Sequence, residues 1–491
     1  MGLVIQKYGG TSLGDVSKIS HAAQRIAAAD GSVAVVVSAM GGTTDAMLEL
    51  ARDLTDNPHA RELDILLSTG EQASAAALAM ALHELGVPAR SFNARDGGII
   101  TDGVHGCARI VNVHPELIRE CIQAGYVPVV TGFQGIAAES GELTTLSRGG
   151  SDTTAVALAA ALRAEVCEIF TDVEGVFTAD PRYVAEARKL SHLSYEDMAE
   201  LAAGGATVLA HSSVQYAGTH RVPLHVRSST TETTGTWVTG SRSTTPPDGE
   251  RFTAVGVAHR TGQLRCRLDG VVPTALTTIA AMLADPALSV DMLDHLAADG
   301  SGHSLRFVVK ATDQDQVDGV LADLRAAGAF GECHWSGPVG KVSLVGHGFC
   351  ARHPQVRLLP GELATHGVTV RDMTVRTRRI SITCAEYEVL NAVRRLHRMF
   401  LSADTHTDPY SHAGRSPGGT HADLSSYPGR SPRDTHAAPY SHAGQPARGT
   451  PHARAEAPAG TGEIRDTTAQ GPAQPHLLES PARWSAETKG G

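Results

Sequence analysis

The sequence predicts an α/β protein. A largely parallel sheet with helices on both faces comes first, two smaller α+β units follow, and a coreless tail ends the chain. Three observations carry this reading. Ser32-Val33-Ala34-Val35-Val36-Val37 is a nearly continuous apolar run, the pattern of a parallel strand covered on both faces. Such runs alternate with helical periodicities through the first half of the chain, as βα repetition requires. After Leu401 aliphatic residues thin out, and Pro, Gly, Ser and His take over.

Residues 3–6 read as the first strand. The polar stretch Lys7-Tyr8-Gly9-Gly10-Thr11-Ser12 follows, then a helix over 16–29. The strand 32–37 ends in Ser38-Ala39-Met40-Gly41-Gly42-Thr43-Thr44-Asp45. Helices are expected over 46–54 and 71–85, and strands over 89–92, 127–131 and 166–171. The stretch 143–162 is the one around which the rest is organised. It opens as the loop Ser147-Arg148-Gly149-Gly150-Ser151-Asp152. It continues as a helix with Ala155, Val156, Leu158, Ala159 and Leu162 on one apolar stripe. Ser151 or Asp152 can cap that helix. Bare backbone donors, an arginine, a carboxylate and a positive helix end together suit an anionic ligand. The same pattern also describes an ordinary capped helix after a tight turn.

A further loop, 171–182, follows the strand 166–171. In open α/β sheets ligands bind beyond the carboxyl ends of the strands. The loops 7–12, 38–45, 147–152 and 171–182 are therefore expected to converge. None of them is GxxxxGK[ST] or GxGxxG, so neither a Walker A loop nor a Rossmann fingerprint is present.

Beyond this region a helix is expected over 195–203 and a short strand over 222–227. Residues 231–251, rich in Ser, Thr, Gly and Pro, read as a linker closing a first domain over 1–230. Two tandem βαββαβ units are expected over 252–335 and 336–400. The first has strands at 252–258, 263–268, 290–293 and 305–309 and helices at 273–284 and 316–327. The second has strands at 341–346, 368–373 and 379–384 and helices at 355–366 and 387–399. The tail, 401–491, carries a degenerate 15-residue repeat starting at Thr405, Thr420 and Thr435. It has too little apolar surface to offset ordering entropy and is expected to be disordered. Its regularly spaced histidines are read as part of that extension rather than as a metal site.

Composition narrows the function. The chain has 491 residues, 42% of them hydrophobic and only 4% aromatic, so sizeable cores must be built from Ala, Val and Leu. A formal net charge of −10 argues against nucleic acid as a partner, because phosphate binding needs concentrated Lys and Arg. Seven dispersed cysteines without a CxxC pair read as reduced thiols of a cytoplasmic protein. The apolar start is too short for a signal peptide. No apolar run approaches the ~18 residues of a membrane helix, so no membrane partner is expected.

Taken together, KYGGTS (7–12), SAMGGTTD (38–45), STGEQASAAALAMAL (68–82), GFQG (132–135), TLSRGGSDTTAVALAAAL (145–162) and TDVEGVFTADPR (171–182) closely resemble bacterial aspartate kinases, members of the amino-acid kinase family. The resemblance is dense over about residues 1–230 and weaker to about 400. It implies an amino-acid-kinase-type sheet followed by tandem ACT units. It also implies transfer of the γ-phosphate of MgATP to the side-chain carboxylate of L-aspartate, the first step towards lysine, threonine and methionine. ATP and Mg²⁺ enter as the phosphate donor, and no resident metal ligands are assigned. A homo-oligomer and an amino-acid effector at the ACT units follow from the resemblance alone.

By the same resemblance Lys7 is the phosphate-bridging cation, and Asp152 lies at the reacting centre facing it. Arg148 binds the substrate α-carboxylate and Glu71 its ammonium. Thr44, Gly149, Gly150 and Ser151 complete the substrate side. Tyr8, Gly9, Gly10 and Ser38 approach the phosphates. Thr171, Asp172, Phe177, Asp180 and Arg182 belong to the nucleotide pocket.

Two departures matter. Thr207 stands where many family members carry an ATP-contacting lysine, which implies weaker ATP use. The effector signals near Asp269-Gly270-Val271-Val272-Pro273-Thr274 and Thr374-Val375-Arg376-Thr377-Arg378-Arg379 match poorly, which implies weakened feedback. Two alternatives remain: a catalytically weak amino-acid sensor, and a kinase for a related amino acid.

Overall fold

A computed structural model describes residues 2–240, 253–283, 290–298 and 302–402. The expected tail from 403 onward and most of the expected linker lie outside the described residues.

The chain opens with β1 (Leu3–Tyr8), α1 (Val16–Ala27), β2 (Ser32–Val37), α2 (Thr43–Leu54), α3 (Ala60–Glu84) and β3 (Ala89–Phe92). Next come β4 (Ile99–Thr101), β5 (Ile110–Val113), α4 (Glu116–Gln123), β6 (Val127–Thr131), β7 (Gln134–Ala137) and β8 (Leu143–Thr145). Then follow α5 (Gly150–Leu162), β9 (Val166–Thr171), β10 (His192–Ser194), α6 (Tyr195–Gly204), α7 (His211–His220), β11 (Leu224–Ser228) and β12 (Thr236–Thr239).

Among the described residues these strands form a sheet in the order β10-β12-β11-β9-β1-β2-β6-β3, and a small one in the order β5-β4-β7-β8. In the large sheet β3, β6, β2, β1, β9 and β11 run parallel. β1 lies between β2 and β9. The chain fills one side of β1 first and the other side later, which makes the carboxyl end of β1 a topological switch point.

Alternation along the strands feeds two cores. Ile5, Ala34, Val36 and Ile169 pack with the α5 residues Ala155, Val156, Leu158 and Ala159. Tyr8, Val33, Val35 and Val37 pack with α1 and α3. α5 is thus embedded rather than amphipathic. Every residue from Gly150 to Ala159 except Thr153 is buried, and the expected single stripe is replaced by burial all round. Leu162 is only half-buried.

Other expectations shift. The sheet continues past 230, because β12 pairs with both β10 and β11 inside the expected linker. α3 begins at Ala60, well before 71, and spans 25 residues. It is long and apolar enough to cross a membrane by length and composition, a run the sequence reading did not expect. Here it packs against α1, α2, β3 and β6 and buries Asp64 and Glu71. The strands of the small sheet hold three or four residues each, too few to show a period.

The remaining elements are β13 (Thr253–Val271), α8 (Leu276–Leu283), β14 (Asp291–Ala298), β15 (Gly302–Lys310), α9 (Gln314–Ala326), β16 (Glu332–His347), α10 (Pro354–Ala364), β17 (Asp372–Val375), β18 (Arg379–Ala385) and α11 (Val389–Leu401). They build one six-stranded antiparallel sheet in the order β14-β15-β13-β16-β18-β17.

The two βα units are therefore interlocked rather than simply consecutive. β13 is a single 19-residue strand where two strands were expected. Its first half, up to Arg260, pairs with the second half of β16 and so supplies a strand to the later unit. Its second half, from Gln263, pairs with β15 and the first half of β16. The expected boundary at 335/336 falls inside β16.

α6 lies against this sheet. Its Asp197, fully buried, is 3.0 Å from His347 Nε2 and 3.2 Å from Arg378 Nη1. Lys341 Nζ donates to Ala203 O at 2.9 Å and also pairs with Asp291.

Candidate active site

Because side chains alternate along a strand, Lys7 shares the α5 face of β1 with Ile5, while Tyr8 faces the other core. Lys7 Nζ lies 2.6 Å from Asp152 Oδ1, with both side chains largely buried. Asp152 is the third residue of α5, where the helix end favours a carboxylate. Its Oδ2 accepts the Ala210 N–H at 3.3 Å. The helix is capped not by Ser151 or Asp152 but by Gly149, without a side-chain cap and in the left-handed region at φ +83°. A Cβ there would lie 2.3 Å from Ala210 Cβ. Ser151 sits in the first turn against Gly132, where an added Cβ would approach Ser151 Cβ to 2.6 Å.

The loops after β1 and β2 interlock. Gly41 N–H donates to Gly10 O at 3.1 Å, and a Cβ on Gly10 would come within 2.7 Å of Ala39 O. Gly9 N–H donates to Phe170 O, and Ser38 N–H to Tyr8 O. The Ala39 N–H donates to Glu71 Oε1 at 2.9 Å. Glu71 is 3% exposed, and its Oε2 is buried with no hydrogen-bond partner among the described residues. Burial pushes its carboxyl up to about 7, opposed by the Ala39 N–H and by the charge of Lys7. An orphaned buried carboxylate oxygen near a lysine–aspartate pair suits a ligand that brings its own cation.

The structure thus gathers Lys7, Gly9, Gly10, Ser38, Glu71, Gly149, Gly150, Ser151 and Asp152 at the strand ends. Thr44 is half-buried in the first turn of α2, beside Thr43, whose Cγ2 would be 3.3 Å from a Cβ on Gly70. Arg148 is exposed in the loop just before α5. Burial holds Lys310 below its ordinary value, and repulsion from Arg260 and Arg148 adds to this.

Tyr8 departs from expectation. Its ring is 1% exposed and stacks on Phe170 at 4.9 Å, so its side chain belongs to the core. Thr171 ends β9 and donates to the exposed Asp172 at 3.1 Å. Phe177 is half-buried and bridges to Lys189. Asp180 and Arg182 pair with each other at 2.6 Å, with Arg182 75% exposed. Among the described residues no hydrogen bond or ion pair ties them to Lys7 or Asp152. Their loop instead docks on the six-stranded sheet: Val257 N–H donates to Thr178 O at 2.7 Å, and Thr178 Oγ1 meets His397 Nε2 at 2.9 Å.

Sequence reasoning missed the Ala210 N–H, which has no side-chain signal, and the packing role of Gly132. Thr207 is exposed in the loop between α6 and α7, three residues before Ala210.

Comparison with known proteins supplies the family. A family model described as the amino acid kinase family matches residues 2–228. An aspartokinase of Mycobacterium tuberculosis is 41% identical over 424 residues, covering 84% of this chain and all of that protein. The chain belongs to the aspartokinase family. A Geobacillus stearothermophilus aspartokinase is also 41% identical, over 82% of this chain and 97% of its own length. Among solved structures, E. coli aspartokinase III in complex with aspartate and ADP is similar in fold, with a TM-score of 0.68 and 22% identity. It covers 82% of this chain and all of that one.

The burial of Glu71 has a measurable sign. A carboxyl raised in the folded state favours folding while protonated, and that contribution is lost as pH rises through the folded value. Between pH 5 and 8 the chain should therefore lose stability relative to Glu71→Gln, by up to about 3 kcal/mol. Denaturant unfolding of both proteins at each pH checks it; a flat difference contradicts it.

Proposed function

We propose that this chain transfers the γ-phosphoryl group of MgATP to the side-chain carboxylate of L-aspartate, forming 4-phospho-L-aspartate. The observation that carries the proposal is the buried Lys7–Asp152 pair at the switch point, with the orphaned Glu71 oxygen nearby. The nucleophile is already ionised at neutral pH, so the reaction needs no strong base. It needs two anions brought together and the charge on the moving group neutralised.

Lys7 supplies that charge, and Asp152 holds its ammonium in place. The glycines at 9, 10, 149 and 150 let backbone donors approach phosphate oxygens. Glu71 accepts the substrate ammonium, and Arg148 reaches its α-carboxylate from the rim. Thr171, Asp172 and Phe177 flank the nucleotide base and ribose. Asp180 and Arg182 act on nucleotide only after their mutual pair opens.

An ATP-dependent hydroxamate assay with aspartate, glutamate and close analogues tests the proposal. Aspartate-dependent product is expected. Activity with another amino acid alone moves the substrate, and activity with none favours an amino-acid sensor.

Thr207 lies in the loop that ends at Ala210, whose N–H meets Asp152, and the lack of a positive charge there supports weakened ATP use. Charge-assisted contacts contribute about 1.5–3 kcal/mol each, so Thr207→Lys should lower the KM for ATP. An unchanged or raised KM sinks that expectation. We further propose weakened feedback at the interlocked sheet, because the effector-site signals match poorly there. Titration of activity with lysine plus threonine should leave most activity at sub-millimolar effector, on the order of 0.1–1 mM; strong inhibition there refutes it.

A further inference from the structure

We propose that Asp64 is a positioning residue: it fixes the end of β8 to α3 and so sets where Arg148 stands relative to Glu71. The inference rests on the reading above, in which those two residues hold opposite ends of the amino-acid substrate.

Asp64 lies on α3, seven residues before Glu71. That is about two helical turns, so both project from one face. Asp64 is 1% exposed, and a carboxylate taken so far from water must be fully partnered. Its partners come from the end of β8 and from the connection between β4 and β5. Oδ1 accepts the Gly106 N–H at 3.1 Å and the Thr145 hydroxyl. Oδ2 is 2.6 Å from His105 Nδ1, a contact that requires the proton on that nitrogen.

Thr145 is the last residue of β8, itself 1% exposed, and Arg148 follows three residues later. The segment between them is tied at its start. Ala108 N–H donates to Thr145 O at 3.0 Å, and Leu146 N–H to Phe133 O at 2.8 Å. A second strut joins the small sheet to α3 midway between Asp64 and Glu71: Gln134 Nε2 donates to Ser68 O at 3.1 Å. Glu71 in turn holds Ala39. One helix therefore carries both the residue that meets the substrate ammonium and the anchor for the strand delivering the arginine. Arg148 is exposed, and among the described residues no hydrogen bond or ion pair of its side chain fixes its height. Displacements of about an ångström at such positions change turnover strongly.

The test compares Thr145→Val with Thr145→Ser in the full chain. Valine keeps the branched shape and removes the hydroxyl that Asp64 accepts, whereas serine retains it. The expected result for Thr145→Val is a rise of about fivefold or more in the KM for aspartate, with the KM for ATP within about twofold of the parent. Thr145→Ser should restore the KM for aspartate. Asp64→Asn should show the same split more strongly; if it does not fold, the threonine pair still decides.

A Thr145→Val enzyme with an unchanged KM for aspartate overturns the inference, even if its unfolding temperature falls. Equal rises in both KM values also overturn it. If the parent chain shows no aspartate-dependent activity, the functional reading fails instead. An active parent with an indifferent Thr145→Val sinks this inference alone.

Discussion

The geometry of the candidate active site depends on the ion pair between Lys7 and Asp152. It joins the end of the first strand to the first turn of the embedded helix α5, at the switch point where the strand order reverses. Neither partner can be placed independently. Lys7 points at α5 because strand alternation sends Tyr8 into the opposite core. Asp152 meets it because Gly149 takes a left-handed turn under Ala210. Two charges removed this far from water are stable only with close partners. The interlocked glycine loops and the Ala210 N–H are what hold that geometry.

The same pair sits at the end of a mechanical chain from the six-stranded sheet. α6 is fastened to that sheet through Asp197, His347, Arg378 and Lys341, and its C-terminal loop runs to Ala210 and hence to Asp152. A second route passes through the 171–182 loop, fastened by Thr178 to Val257 and His397. Cutting the chain at 230 would sever β12 from the catalytic sheet and leave the carboxylate of Asp197 buried without His347 and Arg378. The two βα units share β13 and β16 and so form one continuous sheet, on which both routes end.

Much of this was legible in the sequence where one physical rule dominated. Long apolar strands in a parallel sheet announce themselves, and β2, β3, β6 and β9 have the expected bounds. Lys7 and Asp152 were expected to face each other from separate motifs, and they do. Legibility failed where several rules compete. α5 was read as striped because its alanines are silent about which face is covered; burial on all sides leaves no contrast. β13 looked like two strands because the polar run around Arg260 and Thr261 marks a register shift rather than a break. Tyr8 sat in a phosphate-loop motif, yet strand alternation overrides motif membership. Asp64, His105 and Thr145 carry no local pattern at all, since the residues that meet are separated by 41 and 81 positions.

The central claim is that the Lys7 ammonium, held by Asp152, neutralises the group in flight. The most direct measurement is the hydroxamate rate of Lys7→Met beside its unfolding temperature. The account predicts a fall in kcat of about a thousandfold or more with the fold retained. A kcat within about tenfold of the parent would contradict it.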